Sequence, residues 1–420
     1  MSYLDNGCIR VGMDLNLGGA ITYLSPSGTN QELNLINGYD WGRQVQVSYY
    51  SGPVPFQPPG TCLASNWAFL GWNPIQSGDC YGHESRVVEH VNDGHTLYVK
   101  CIPMQWPMDN VPGECECEVW LQLEGAVVKA RCRLTNHRSD HTQYHARDQE
   151  LPAVYVNGPF YRLMTYTGEQ PFTGGALTRI EKRPGEPGMW SQWTATEQWA
   201  ALVNDAGWGL GVWHPETLSF LGGFAGQPGQ GGPLDNPTGY IAPLHNEILD
   251  HNIVYEYCYE LMVGTLEQIR AHVYRRTPHS QLPEFRFEHS RQGWFYEHAI
   301  DKGWPVRGEL DVQLSGEKSH VLSPVFFVRA AEAPKMVLEA AFDTGQPHAM
   351  VRWRNLDQKA LPPDQYLVFP VVADGQFRRY EVNLASATNY HGTIVQLRLD
   401  PISSGSQPGR LRLKSVAFQQ

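Results

Sequence analysis

Apolar and polar residues alternate along most of this chain in runs of five to eight, and a period of two predicts β-strands. Ile9–Leu15 opens the pattern, and Gly18–Leu24 follows, ending in a Ser-Pro-Ser-Gly turn at 25–28. Arg86–Val91, an Asn-Asp-Gly turn at 92–94 and Thr96–Ile102 predict a hairpin. Cys115–Leu123, a Glu-Gly turn at 124–125 and Val127–Leu134 predict a second. Trp199–Val203, Gly209–Trp213 and His251–Val263 complete this set, and a short helix is expected at Thr265–Tyr274. The pattern restarts beyond a Pro-bearing stretch, with strands at Val325–Ala330, Met336–Phe342, Ala349–Arg354, Tyr366–Val371 and Ile394–Leu399. The expected organisation is two all-β domains: a large antiparallel sandwich over residues 1–275, a linker at 276–285, and a smaller sandwich over 286–420. No short repeat recurs, which sets aside propellers and solenoids.

Composition agrees with many short strands. The 420 residues include 41 Gly and 30 Pro, with only 18% charged, and the length favours more than one core. The net charge of −11 argues against nucleic acid, whose phosphates call for a basic footprint. There is no apolar run of about 18 residues, so no membrane span or membrane partner is expected. No leader is visible. A secreted or periplasmic location is expected if one has been removed, and a cytoplasmic one otherwise. The eight Cys leave the compartment open; Cys115 and Cys117, two apart in a strand, are poorly placed for a mutual disulfide. Oligomeric state is not indicated.

The 13 Trp and 20 Tyr change the picture most. Aromatic faces stack on sugar C–H faces while indole N–H and phenol O–H groups bond hydroxyls. Such rings also fill sandwich cores. Here several cluster in Gly/Pro-rich stretches, at Trp67-Ala-Phe-Leu-Gly-Trp72 and Trp190-Ser-Gln-Trp193. An oligo- or polysaccharide is the expected partner, with Trp72 as a binding residue.

The densest chemistry lies at Asn136–Glu150, where 15 positions hold three His, two Asp, two Arg, a Tyr and a Glu. The apolar Leu151-Pro-Ala-Val-Tyr-Val behind it returns the chain to the core, so this polar load is either a satisfied network or a site. His137, His141 and His145 stand four apart, but they follow a strand end rather than sit on a helix, so no metal and no cofactor is expected. Imidazole with a pKa of about 6.5 suits proton transfer instead. Glycosidic hydrolysis needs two carboxyl groups roughly 5–10 Å apart; Asp148, Glu150, Glu247 and Asp250 are the candidates. Arg43 and Gln44, with Tyr50 nearby, form a second cluster, since an Arg fork reads vicinal hydroxyls or a uronate. The alternation of Gln44, Val45, Gln46, Val47 and Ser48 is equally that of a packed strand. His214, His245, His141, His145 and Arg147 complete the binding candidates. The Gly222–Pro233 stretch lacks the Gly-Lys-Ser/Thr of a phosphate loop and reads as a rim loop.

Several segments carry a family resemblance. Gly18-Gly-Ala-Ile-Thr-Tyr-Leu-Ser-Pro-Ser-Gly with Glu32-Leu-Asn-Leu-Ile resembles the first hairpin of galactose-mutarotase-like domains. Asp40-Trp-Gly-Arg43, Tyr81-Gly-His83, Thr135-Asn-His137 and Glu247 follow in that family's order. The resemblance covers residues 8–275 and implies an antiparallel supersandwich. It also implies that Arg43 binds sugar and that His83, His137 and Glu247 take catalytic roles. Insertions around 53–80 and 222–240 and the long polar stretch after His137 depart from it. Gly293-Trp, Ser323-Pro, Ala349–Arg354, Asp374–Tyr380 and Leu397–Pro401 resemble jelly-roll modules attached to carbohydrate-active proteins, which implies a carbohydrate-binding-like accessory domain. The leading expectation is an enzyme cleaving glycosidic bonds, by hydrolysis ahead of β-elimination. An aldose mutarotase or epimerase and a non-catalytic glycan-binding protein are the alternatives. The expected catalytic set is Glu150, Glu247, His137, His83 and Asp148.

Overall fold

Four antiparallel sheets account for the architecture in a computed structural model that describes residues 1–28, 33–186, 188–276, 282–401 and 408–420. The all-β sandwich expected from the alternation is what forms. The chain divides into two compact units: Met1–His141, Asp148–His245 and His251–Thr277 in one, and Thr142–Arg147, Asn246–Asp250 and Pro278–Gln420 in the other.

The first unit holds the two larger sheets. One runs in the order Ser2–Asp5, Ile9–Asp14, Ala20–Pro26, Val45–Ser48, Arg147–Asn157, Thr238–Glu247, Ser219–Ala225, Ser191–Thr194, with Pro74–Ile75 and Met104–Gln105 attached beside Val45–Ser48. The other runs Thr178–Arg179, Arg162–Thr165, Trp199–Val203, Trp208–Trp213, Val254–Thr265, Val127–Asn136, Cys115–Glu124, Thr96–Ile102, Arg86–Asn92. Alternation sets the faces: in Cys115–Glu124 the residues Cys115, Cys117, Val119 and Leu121 are buried and those between them are not. The hairpins at 86–102 and 115–136 have the expected turns, pairing Asn92 with Leu97 and Glu124 with Val127. Gly19, at φ +80°, lets the two sheets close, because a Cβ there would stand 2.5 Å from Val99. The eight cysteines are free thiols, and Cys101, Cys115, Cys117 and Cys132 lie in the core.

The helix spans Leu266–Arg276 rather than 265–274, with Ile269 and Val273 buried. Arg270 and Tyr274 dock it onto Glu197, which is fully buried and also receives the Phe172 N–H and the Trp199 indole.

Two expectations need correction. The polar stretch read as loop up to Glu150 becomes strand from Arg147, because the apolar residues that follow pair centrally in the sheet. The Gly-rich stretch read as a rim loop from Gly222 is strand as far as Ala225, paired with Thr238–Ile241. Of the expected 276–285 linker, residues 277–281 lie outside the described residues, as does Glu32 of the first hairpin.

In the second unit, one sheet orders Ala299–Asp301, Leu310–Leu314, Gly409–Gln419, Lys335–Asp343, Arg378–Asn383, with Glu284–Arg286 also on Gly409–Gln419. The other orders Phe295–Glu297, His320–Leu322, Thr393–Asp400, His348–Asn355, Tyr366–Pro370, with Val328–Arg329 on Thr393–Asp400. Trp294, Trp353, Phe342, Leu413 and Ile248 belong to its core. Ile248 reaches that core from a segment 39 residues upstream of Phe287, its next buried member, so chain order is not spatial order.

Candidate active site

The strand Arg147–Asn157 positions the most unusual carboxyl group of the first unit. Its pairing with Val45–Ser48 slips between Glu150 and Ala153, where Pro152 offers no N–H to the ladder. Such a bulge re-aims side chains. Gln149 goes inward, fully buried, and grips the Tyr50 backbone twice, accepting its N–H at 2.7 Å and donating to its carbonyl at 2.8 Å. Glu150, half-buried, accepts the Tyr50 hydroxyl at 2.9 Å on Oε2 and a hydrogen bond from Tyr240. Tyr155 lies 4.6 Å from Tyr240 by ring centroid, and Trp190 lies 5.1 Å from it. Glu150 is therefore bonded to the shared ring of a Tyr155–Tyr240–Trp190 bank.

Burial pushes the Glu150 carboxyl above its ordinary range, and the nearby Asp148 charge pushes the same way; the two tyrosine hydrogen bonds hold it partly back. Tyr50 and Tyr240 are pushed well above the usual phenol value, first by burial and then by the Glu150 charge. All three groups are thus neutral proton donors when Glu150 is protonated. Asp148 is exposed and, two residues away on the same strand, shares the face of Glu150.

Arg43 is near this bank but committed. Its guanidinium donates to the Asn236 carbonyl at 2.6 Å and to Asn236 Oδ1 at 2.8 Å, pairs with Asp40 at 3.2 Å, and stacks on Tyr39. The fork expected to read a uronate is filled by the protein itself. Gln44, expected to bind substrate, is buried at φ +79°, with its amide on the Asp40 carbonyl at 2.6 Å. Trp72 is fully buried and packs under the Arg138 guanidinium. Both are structural, since no substrate reaches a fully enclosed side chain.

His83 is held in a second arrangement. Asp79, fully buried, accepts the N–H groups of Tyr81 and His83 on one oxygen and the Asn110 N–H and His83 Nδ1 on the other, at 2.8–3.0 Å. A carboxylate only accepts, so Nδ1 carries the proton and the lone pair of neutral His83 is on Nε2. His83 is 40% exposed at its side chain.

The remaining candidates are dispersed. His137 is exposed just past the strand Val127–Asn136, and His141 is exposed and stacked on His251 at 4.0 Å. The buried member of that segment is Arg138, bonded to Ser51 Oγ, the Gly52 carbonyl and the Asp140 carbonyl. His214 is fully buried, its Nδ1 accepting the Glu216 N–H. Burial pulls His214 down to about 3 and His245 to about 4, so both are neutral interior groups. His145 and Arg147 belong to the second unit.

So does Glu247. It is 4% exposed, accepts the Ile248 N–H, and is pushed up to about 7 by burial despite the Arg291 charge. Arg291, 1% exposed, bridges Asp250 and Asp301 at 2.7 Å each. Gln143 bonds both of these carboxylates. Glu150 and Glu247, expected in one site, stand on neighbouring strands of one sheet, Arg147–Asn157 and Thr238–Glu247. Among the described residues no group of three or more His, Cys, Asp or Glu is placed to hold a metal ion, and no helix is long and apolar enough to cross a membrane.

Tyr155, Tyr240 and Asp79 were not singled out from the sequence as site residues. Asp79 had a local signal, standing four residues before His83. The two tyrosines had none, since their partnership depends on which distant strands pair.

No family model and no curated protein matches the sequence. Among solved structures the chain is similar to a galactose mutarotase-like protein from Lactobacillus casei, at 11% identity and a TM-score of 0.38 over 63% of this chain and 99% of that one. It is similar to a galactose mutarotase related enzyme from Lactobacillus acidophilus, at 11% and 0.37 over 62% and 96%. A GH36 α-galactosidase from Geobacillus stearothermophilus is matched at 12% and 0.33, over 63% of this chain and 41% of that one.

Proposed function

We propose that the first unit is a carbohydrate-active enzyme that cleaves a glycosidic bond, with Glu150 as the general acid and Asp148 as the second carboxylate. The observation that carries this reading is the half-buried Glu150, raised in pKa and bonded by Tyr50 and by Tyr240, the shared ring of the Tyr155–Tyr240–Trp190 bank. A carboxyl group whose pKa is raised by burial keeps its proton to higher pH, which is what an aglycone oxygen needs as it leaves. Two residues along a strand is about 7 Å, within the range that carboxyl pairs of glycosidases occupy. The raised Tyr50 and Tyr240 are weak proton acceptors, which weighs against an elimination that uses either of them as base. Release of reducing ends from a polysaccharide panel tests the reading: Glu150→Gln is expected to lower the rate at least about 100-fold with the fold unchanged by circular dichroism. Undiminished turnover in that variant removes Glu150 from the chemistry.

The Asp79–His83 pair favours a second reading, interconversion of the anomers of a free aldose, in which His83 Nε2 takes the anomeric proton. Polarimetry on free sugars separates the two, since only mutarotation changes optical rotation without new reducing ends.

A further inference from the structure

The first unit carries a run of aromatic rings that the Glu150 site does not use. Ser65–Leu70 form a 3₁₀ turn with no buried residue, although three of its six are Trp67, Phe69 and Leu70; Phe69 is 61% exposed. Trp67 lies 6.2 Å from Phe69 and 6.0 Å from Trp106 by ring centroid. Trp106 rests on the backbone of Gly42, where a Cβ would stand 2.9 Å from its ring. Trp41, next in sequence, lies against Gly78, again with 2.9 Å to a would-be Cβ. Trp41, Trp67 and Trp106 are all half-buried. A lone exposed ring is ordinary, but three rings in contact, Phe69, Trp67 and Trp106, lead from an exposed turn to Gly42, between Trp41 and Arg43, and Trp41 in turn lies against Gly78 beside Asp79, which marks a binding surface.

We propose that Trp41, Trp106, Trp67 and Phe69 form an extended strip that binds successive residues of a neutral oligosaccharide, so that the substrate is a chain rather than a single sugar. This rests on the reading of the first unit as a carbohydrate-active enzyme and names its substrate class. Aromatic faces accept sugar C–H faces, and indole N–H groups bond hydroxyls. Charge selects against an acidic chain: Asp40 adjoins Trp41, Asp79 and Asp109 flank His83, and Arg43 is already engaged by Asp40 and Asn236. Gly42, against which Trp106 rests, adjoins Arg43 in the chain, and this distinguishes the strip from an isolated apolar patch.

The test uses the full chain carrying Glu150→Gln, so that ligands are not consumed. Calorimetric titrations compare cellohexaose, xylohexaose, mannohexaose and maltohexaose, each with its monosaccharide, and hexagalacturonate. At least one neutral hexasaccharide is expected to bind at least ten-fold tighter than its monosaccharide. Trp67→Ala is expected to remove that advantage while leaving monosaccharide affinity unchanged. Phe69→Ser, at an exposed position, repeats the test should Trp67→Ala fail to fold. Equal hexasaccharide affinity in a folded Trp67 or Phe69 variant overturns the proposal. So does tightest binding of hexagalacturonate, or no binding of any hexasaccharide. Sedimentation of the wild type as a dimer that Trp67→Ala dissociates would assign the strip to self-association and also overturn it. Retained activity in Glu150→Gln sinks only the acid role, whereas unchanged chain binding in Trp67→Ala sinks only the strip.

Discussion

Glu247 is pushed up to about 7 from an ordinary 4.5, so the folded second unit holds a proton that the unfolded chain releases. Its contribution to stability is complete below about pH 4.5 and is lost as the pH rises through 7, amounting to about 3 kcal/mol. Glu247→Gln keeps the oxygen that accepts the Ile248 N–H but has no proton to lose. The melting temperature of this variant is expected to fall less between pH 5 and pH 8 than that of the wild type. At Glu150 the same direction of shift acts on rate rather than stability: a general acid fails as the pH rises through its raised pKa. The Tyr50 hydroxyl holds that pKa down by bonding the carboxylate, so Tyr50→Phe is expected to move the alkaline limb of the pH–rate profile upward. One hydrogen bond corresponds to about one pH unit. A limb unmoved or moved downward would show that Tyr50 does not act through Glu150.

The helix Leu266–Arg276 depends on a single carboxylate. Glu197 collects Arg270, Tyr274, Trp199 and the Phe172 N–H, and those donors hold its pKa below the ordinary value despite burial. A lowered carboxylate contributes above its unfolded pKa and loses that contribution as the pH falls through the folded one. Glu197→Gln leaves the half-buried Arg270 without its counter-charge and is expected to destabilise the first unit by about 3 kcal/mol in urea unfolding near neutral pH. The helix was legible in advance because Leu266, Ile269 and Val273 recur at its period, as were the 86–102 and 115–136 hairpins from their turn residues. The strand Arg147–Asn157 was half hidden, because its first residues are polar and Pro152 interrupts the ladder. Glu150 stood out by lying where polar sequence meets apolar. Of its tyrosine neighbours Tyr50 was expected as a binding residue, whereas Tyr155 and Tyr240 were not, since positions 155 and 240 meet only through long-range pairing. Trp72 and Gln44 misled for the opposite reason: residue type marks what a side chain is able to bind, but only packing decides whether it is reachable.

At the scale of the molecule, the second unit draws Gln143 from 142–147 and Ile248 and Asp250 from 246–250 into a core and charge network completed by Arg291 and Asp301. A fragment ending at Arg276 carries Ile248 without the core it packs in and Asp250 without its cation. It is expected to be cut by protease within 142–147 and 246–250 under conditions where the full chain resists, and mass spectrometry of the products checks this.

Arg291 has a consequence in time as well as in space. During synthesis Asp250 leaves the ribosome 41 residues ahead of the cation that neutralises it, and Gln143 earlier still. The nascent chain therefore passes through a stage in which these polar groups have no interior to enter. The second unit is not a cassette: its genetic exchange or deletion would remove the partners of residues encoded far upstream, tying the inheritance of residues 282–420 to that of two short segments within the first 250.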